Sequence, residues 1–524
     1  MARKKGDTKI CCFLSRSTLS QIIAVIVKNI VLMGYGMSVG YPTILIPDLS
    51  RRNIGDPLRL GPEGISWVGS ISLITVPLGC LISGVVTQPL GRRRSMQLLN
   101  IPYCITWLIY YFSTDAWHVL VNLAIGGFAG GLMEAPVLTY VAEISQPHLR
   151  GTLASSASVT VAAGIMIQFI IGKFLDWKSA ALCSLLVPIL SFTLLFFIPE
   201  TPPWLISKKR YDEAKESLAW LRGWVSLQDV EKEYEELLSN SRINEQMKQH
   251  RMVRKPSMVK SLMSRNFIRP FTLLTFACCL VHFCGLTPIQ TYSVKIFNSL
   301  HSPVDGHSAT AVLGVVCLIG SLVCLLIVRK CGRRKTSFIS LGGTTICFFV
   351  LGTYMHFAKI NTLEEPSNVS HGVTNSTSFA VEHSGQVTWF PFTALILGVF
   401  SAQMGIRLLP WTLVGEVFPD EIRAIAAGMM GTSYYVSGFI CNKTLLKYIS
   451  LVSLPGAFWT FSAVSATGVM ILYFTLPETE GKTLQEIIDH FAGNSKLGNN
   501  IRKKIKNVGE ENQQSEKLYR FETT

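Results

Sequence analysis

Two nine-residue stretches decide how this chain reads: AEISQPHLR at 142–150 and GEVFPDEIR at 415–423. Each keeps a glutamate seven residues before an arginine, Glu143 with Arg150 and Glu416 with Arg423, and the copies stand 273 residues apart. Two further landmarks recur in the same order. GRRRS at 91 is matched by GRRKT at 332, and PETPPWL at 199 by PETEGKTL at 477, with offsets of 241 and 278 residues. The jump between the first two offsets is nearly the length of the polar stretch 358–387, so that stretch reads as an insertion into the second copy. With it removed, the chain is one unit written twice.

Composition says what the unit is made of. Of 524 residues, 49% are hydrophobic and only 15% charged. The apolar residues gather into runs of about 20, the length that crosses a bilayer core, and 65–87, 308–328 and 454–476 contain no Lys or Arg. The pattern predicts an all-α membrane protein with twelve spans: 20–47, 65–88, 96–113, 117–141, 152–175, 179–198, 268–297, 308–328, 337–357, 388–413, 424–447 and 454–476. An even number places both termini on one side. Basic residues in the N-terminal tail (Arg3, Lys4, Lys5, Lys9, Arg16) and in 208–269 make that side cytoplasmic. The acceptor patterns at Asn368 and Asn375 then lie outside, where glycosylation happens.

The net charge of +15 decorates the cytoplasmic face, with anionic lipids as counterions, and a nucleic-acid partner is excluded. Thirteen cysteines supply no extracellular pair, so no disulfide framework is expected. Cys11 and Cys12 read as unmodified thiols, and the N-terminus does not resemble a cleaved signal peptide. No nucleophile–base set, metal-ligand spacing or phosphate loop stands out, so neither an enzyme nor a cofactor or metal is expected.

Duplicated six-span halves suit a transporter in which two bundles rock around a site near the midplane. The organisation expected is a cytoplasmic tail at 1–19, a six-helix bundle at 20–206, a helical linker at 207–266, a second bundle at 267–476 with the extracellular loop 358–387, and a C-terminal helix and tail at 477–524. In the linker, Tyr211, Ala214, Leu218 and Leu221 fall on one helical face, and Thr483 with Glu486 forms a capping box. Each Gly-Arg-Arg occupies a tight cytoplasmic turn. Arg92, Arg93, Arg333 and Arg334 are expected to meet Glu143, Glu416, Glu200 and Glu478 when the cytoplasmic mouth closes, each exposed pair contributing about 0–1 kcal/mol.

Taken as a set, PETPPWL, PETEGKTLQEI, LPWTLVGEVFP and EAPVLTYVAEISQPHLRG resemble the sugar porter family of the major facilitator superfamily. The last is similar to the span-four ending of insect-type facilitated trehalose transporter-like members, and the likeness covers about residues 20–490. It implies the major facilitator fold and a hexose or trehalose-like disaccharide moved down its gradient by a plasma-membrane protein acting as a monomer. Departures cluster in the pocket. Gln88 and Pro89 stand where the family has Asp-Arg; span seven reads Val281, His282, Phe283, Cys284, Gly285, Leu286, Thr287 in place of an amide-rich run; Tyr434 and Tyr435 replace Asn-Trp.

Sugar recognition needs an aromatic face together with donors and acceptors, because a desolvated hydroxyl left unpaired is costly. The candidates remaining are Trp411 as stacking platform, with Tyr292, Gln290, Thr287, Ser158, Gln168 and Tyr434 as polar partners. His282 reads as a span residue bonded to a neighbour. Glu134 and Arg407 are intramembrane charges, which are expensive and usually functional. Two other readings stay open: proton-coupled symport, although Gly36 and Leu123 occupy the positions of the family's coupling Asp and Arg, and a sugar sensor that binds without transport.

Overall fold

The computed structural model describes residues 15–53, 55–253, 263–300, 302–363, 388–418, 422–495 and 497–498. All regular structure among them is helical. Span one is Arg16–Arg51, whose N-cap Ser15 accepts from the Thr18 amide. Span two is Pro62–Val68 followed by Ile71–Leu90, and span three is Arg92–Phe112. Span four breaks into Ala116–Leu132 and Glu134–Ile144; spans five and six are Pro147–Phe174 and Trp177–Leu194. Helices Pro202–Ser207, Tyr211–Leu221 and Glu231–Val253 connect the halves.

In the second half, span seven is three pieces, Arg265–Phe283, Leu286–Thr291 and Ser293–Ser299. Spans eight and nine are Gly306–Cys331 and Arg333–Phe357, and span ten breaks into Trp389–Met404 and Leu409–Val417. Spans eleven and twelve run through Arg423–Thr475, turning at Ser453, where φ is 67°. Helix Leu484–Ala492 follows, with the expected capping box formed by Thr483 and Glu486. Among the described residues, ten stretches are long and apolar enough to cross a membrane, and one of these, Ile425–Thr475, holds both last spans. Span three falls outside that group because Ser95, Gln97, Asn100 and its tyrosines dilute the apolar run, yet its 21 residues suffice to cross.

Because successive spans reverse direction, Gly91, Gln146, Glu200, Gly332, Phe418 and Glu478 collect with both ends of the described chain on one face, the terminal face. Residues 48–53, 55–57, Asp115, Asp176 and Asp305 lie on the opposite, distal face. Large apolar side chains such as Leu81, Val85, Phe112, Phe357 and Phe474 point outward, as a lipid-facing belt requires. One core runs through the second half and across into the distal part of the first, joining Tyr41, Leu45, Val68 and Trp107 to Tyr292, Phe348 and Phe458. The terminal part of the first half has its own core, around Ala24, Met96, Tyr140 and Leu195.

Hydrogen bonds bind the halves at the distal end. Thr43 donates to the Gln290 carbonyl at 3.1 Å, Asn442 to the Gly69 carbonyl at 2.8 Å, and Lys443 to Ser66 at 2.8 Å. The Lys443 ammonium also lies 4.1 Å from the Trp67 ring centroid, a cation–π contact. The connecting helices pack on the first half: Ser20 donates to the Leu221 carbonyl and Ser217 to the Glu200 carbonyl, at 2.8 and 2.5 Å. Of the apolar face expected there, Ala214, Leu218 and Leu221 are buried, while Tyr211, at the first position of its helix, is exposed. The last helix leans on the second half through Ile487 and Phe491.

Candidate functional site: a central cavity and two terminal clasps

Each Gly-Arg-Arg opens a span. Gly91 and Gly332 have φ of 95° and 84°, a region that L side chains rarely adopt, and a Cβ at either would strike the carboxylate of Glu200 or Glu478. Those carboxylates cap the helices. Glu200 accepts from the backbone N–H of Arg92 and Arg93 at 3.1 and 3.0 Å, and Glu478 from Arg333 and Arg334 at 3.0 and 3.1 Å. The first N–H groups of a helix lack internal partners and carry its positive end, so a carboxylate there meets both needs. Burial pushes the Glu200 carboxyl above the ordinary carboxylate range, against the pull of the Thr201, Arg93 and Arg92 amides.

The arginine side chains turn to the span-four and span-ten glutamates. Arg92 Nη2 lies 2.7 Å from Glu143 Oε1, and Arg333 grips Glu416 with both terminal nitrogens, Nη2 to Oε1 at 2.6 Å. Thr201 donates to Glu143 at 2.5 Å, whereas Thr479 accepts from Arg333 at 2.7 Å. Arg93 and Arg334 donate to the carbonyls of Ile198 and Tyr473; Arg150 and Arg423 donate to those of Ser145 and Phe418. All these contacts lie within one half. Glu200 and Glu478 take backbone N–H groups where guanidinium groups are expected, and the pairs expected to meet as the mouth closes knit the terminal end of each bundle separately. Spans three and four, like nine and ten, are neighbours in one bundle, so their partners stay close however the bundles tilt.

Beneath the distal seal, the halves face each other across aromatic walls. Trp411 meets Tyr434 edge-on at 5.2 Å and Tyr435 at 6.3 Å, and the Tyr435 hydroxyl lies 3.4 Å from that of Tyr35 in span one. His282 stands against Tyr434 at 4.4 Å, with Nδ1 2.8 Å from the Thr287 hydroxyl, the neighbour bond expected of it. Arg407 Nη1 donates to Gln290 Oε1 at 3.3 Å. Glu134 and Trp411 are half-buried, as is Arg407. The hydroxyl-bearing residues Ser155, Ser158, Thr432 and Ser433 are likewise half-buried.

The structure thus brings Trp411, Tyr434, Thr287, Gln290, Arg407 and Glu134 around one space. It places Gln168 and Tyr292 elsewhere. Ser158 donates to the Ser155 carbonyl within its own helix. Gln168 is fully buried inside the first half, accepting from Ser184 at 2.8 Å. Tyr292 belongs to the seal, its hydroxyl donating to the Asn442 carbonyl at 3.2 Å. Asn368 and Asn375 lie outside the described residues. Sequence reasoning missed Tyr35, Asn442, Lys443, Thr201 and Thr479; for the threonines a signal existed, since each follows Pro-Glu in its half. A cleft of about 570 Å³ near the distal end, lined by Trp67, Trp117, Phe128 and aliphatic neighbours, has almost no polar surface with which to hold a polyol.

A family model described as "Sugar (and other) transporter" matches residues 59–491. The chain belongs to the sugar transporter family. It is a transporter, and two six-helix bundles around a central site are the architecture of alternating access. Among similar proteins, the facilitated trehalose transporter Tret1 of Culex quinquefasciatus is 27% identical over 474 residues, 90% of this chain and 86% of that one. Its counterpart from Aedes aegypti is 28% identical over 89% of this chain, which spans about half the length of that relative, 54%. The fold matches the xylose transporter XylE from E. coli in its inward open conformation, with a TM-score of 0.66 at 18% identity over 88% of this chain and 99% of the other. It also matches the proton:xylose symporter XylE bound to 6-bromo-6-deoxy-D-glucose, with a TM-score of 0.64 at 18% identity.

Proposed function

We propose that this transporter carries a hexose or a trehalose-like disaccharide down its gradient across the plasma membrane, as a monomer with both termini in the cytoplasm. The observation that carries the reading is the half-buried Trp411 among Tyr434, Tyr435 and Tyr35, with Gln290 and Thr287 adjacent, between halves hydrogen-bonded to each other at the distal end. An indole face stacks on the apolar face of a pyranose, and the amide and hydroxyl groups take its rim. The distal side is then extracellular and the structure is open inward. The insect relatives named for trehalose transport support the substrate class.

In this reading the two clasps keep each bundle rigid while the bundles rock, and the organisation is the one outlined from sequence, with bundles at 20–206 and 267–476. Uptake of labelled glucose and trehalose by a transport-null host expressing the protein tests it: saturable flux that a proton ionophore leaves unchanged is expected, and absence of flux for every sugar would defeat the proposal. One observation favours proton coupling as a second reading, namely the Glu134 carboxylate, which stands in the cavity without an ion-pair partner among the described residues. Collapse of uptake on adding the ionophore would select it.

A further inference from the structure

The two charges on the cavity walls occupy equivalent points of the duplication. Glu134 stands nine residues before Glu143, and Arg407 nine before Glu416, so the pair shares the 273-residue offset of the paired motifs. Each marks the break in its span. Glu134 is the first residue of Glu134–Ile144, and Arg407 lies in the turn 405–408 that precedes Leu409–Val417. Glu134 lies within electrostatic reach of Tyr35 and Tyr435, and Arg407 of His282 and Tyr434, so both face the aromatic-lined space, from opposite halves.

Neither charge is balanced locally: among the described residues no carboxylate lies within ion-pair distance of Arg407 and no cation within that distance of Glu134. The bond from Arg407 to the neutral Gln290 amide uses one of five N–H donors and fixes the guanidinium without neutralising it. Guanidinium stays charged at any accessible pH. Beside it begins the nine-residue helix Leu409–Val417, whose N-cap, Leu408, supplies no side-chain acceptor, so the helix adds its positive end to the same place. A permanent cation at membrane depth is costly, and a neutral polyol satisfies its donors but leaves its charge. An anionic group on the ligand offsets both.

We propose that the central cavity takes acidic sugars, uronates or aldonates, with the ligand carboxylate held by Arg407 and hydroxyls on the opposite side of the molecule donating to Glu134. The inference rests on the sugar-transport reading and narrows its substrate class. Trp411 supplies the stacking face, and Gln290 positions the guanidinium.

The test uses the full chain in proteoliposomes, with flux of labelled glucuronate and labelled glucose and competition by unlabelled glucuronate, glucuronamide and glucose. Glucuronamide keeps the shape of glucuronate and loses the charge. Glucuronate is expected to compete about tenfold better than glucuronamide, the scale of one charge-assisted pair. Arg407→Gln should erase that preference while still binding glucuronamide, and Arg407→Lys should retain part of it. The wild-type comparison decides even if a variant fails to fold. Equal competition by the acid and the amide, or a preference that survives Arg407→Gln, overturns the inference. Saturable glucose flux without acid preference overturns it and leaves sugar transport standing, whereas no saturable flux or binding of any of these sugars defeats both.

Discussion

In the first half, Arg92 meets Glu143 through one terminal nitrogen and Thr201 completes the carboxylate; in the second, Arg333 takes Glu416 with both, and Thr479 binds the guanidinium as well as the carboxylate. The wiring differs, but the partners and spacing are the same, and Glu200 and Glu478 cap their spans alike. Nine residues further into the membrane the likeness ends, with a carboxylate at Glu134 and a guanidinium at Arg407. Groups that hold a bundle together see only that bundle, and both bundles have one shape. Groups that face the cavity see a ligand, which has no twofold symmetry, so there the copies are free to diverge.

The comparison can be broken most forcefully at the clasps. Glu143→Ala and Glu416→Ala each remove the main partner of a mostly buried arginine, the Arg92 and Arg333 side chains being 9% and 14% exposed, with Glu480 at 3.4 Å remaining to Arg333. Each should cost about 3 kcal/mol and lower the unfolding midpoint in detergent; a loss confined to one half would refute their equivalence. Gly91→Ala and Gly332→Ala should cost roughly 2 kcal/mol apiece from backbone strain and displacement of the capping carboxylate, read from the same midpoint.

In the cavity the halves should respond unequally. Trp411→Ala is expected to weaken sugar binding by about 1 kcal/mol, the stacking contribution of one ring, seen as a raised half-saturation concentration. Leu138 stands at the equivalent point of the first half and has no stacking face, so Leu138→Ala should leave that concentration unchanged.

The smallest effect is a pH dependence at Glu200. Its folded-state pKa is raised, chiefly by burial, so the folded protein holds this proton more tightly than the unfolded chain does. The associated stability is fully present below the ordinary carboxylate value and is lost as pH rises through the raised one. Glu200→Gln keeps an acceptor for the cap and removes the titration, so its midpoint should gain on the wild type across that window. A difference that stays flat with pH would show that burial does not govern this carboxyl.

Much of this could be read before any coordinates. The apolar runs located the spans, and the repeated motifs located the halves and both clasps, because these depend on local composition and fixed spacing. The capping role of Glu200 and Glu478 was hidden, since it joins residues about 108 and 145 positions from their partners through backbone groups that have no sequence signature. The breaks in spans four and ten sit at Glu134 and Arg407 and the first in span seven at Gly285, but one charge or glycine inside an apolar run does not by itself say that the helix stops. Tyr292 and Gln168 looked like ligand contacts because residue type was visible and direction was not. Which way each side chain points is set by how the bundles meet and pack, as the bond from Tyr292 to Asn442 and that from Ser184 to Gln168 show.

The connecting helix Tyr211–Leu221 is fastened to span one through Ser20, and the closing helix Leu484–Ala492 sits on the other bundle through Phe491. Each bundle therefore carries its own soluble pointer. Dyes on those two helices would act as a ruler for rocking, with their separation changing at every turnover, while a dye pair shared between Tyr211–Leu221 and span one would keep a constant reading.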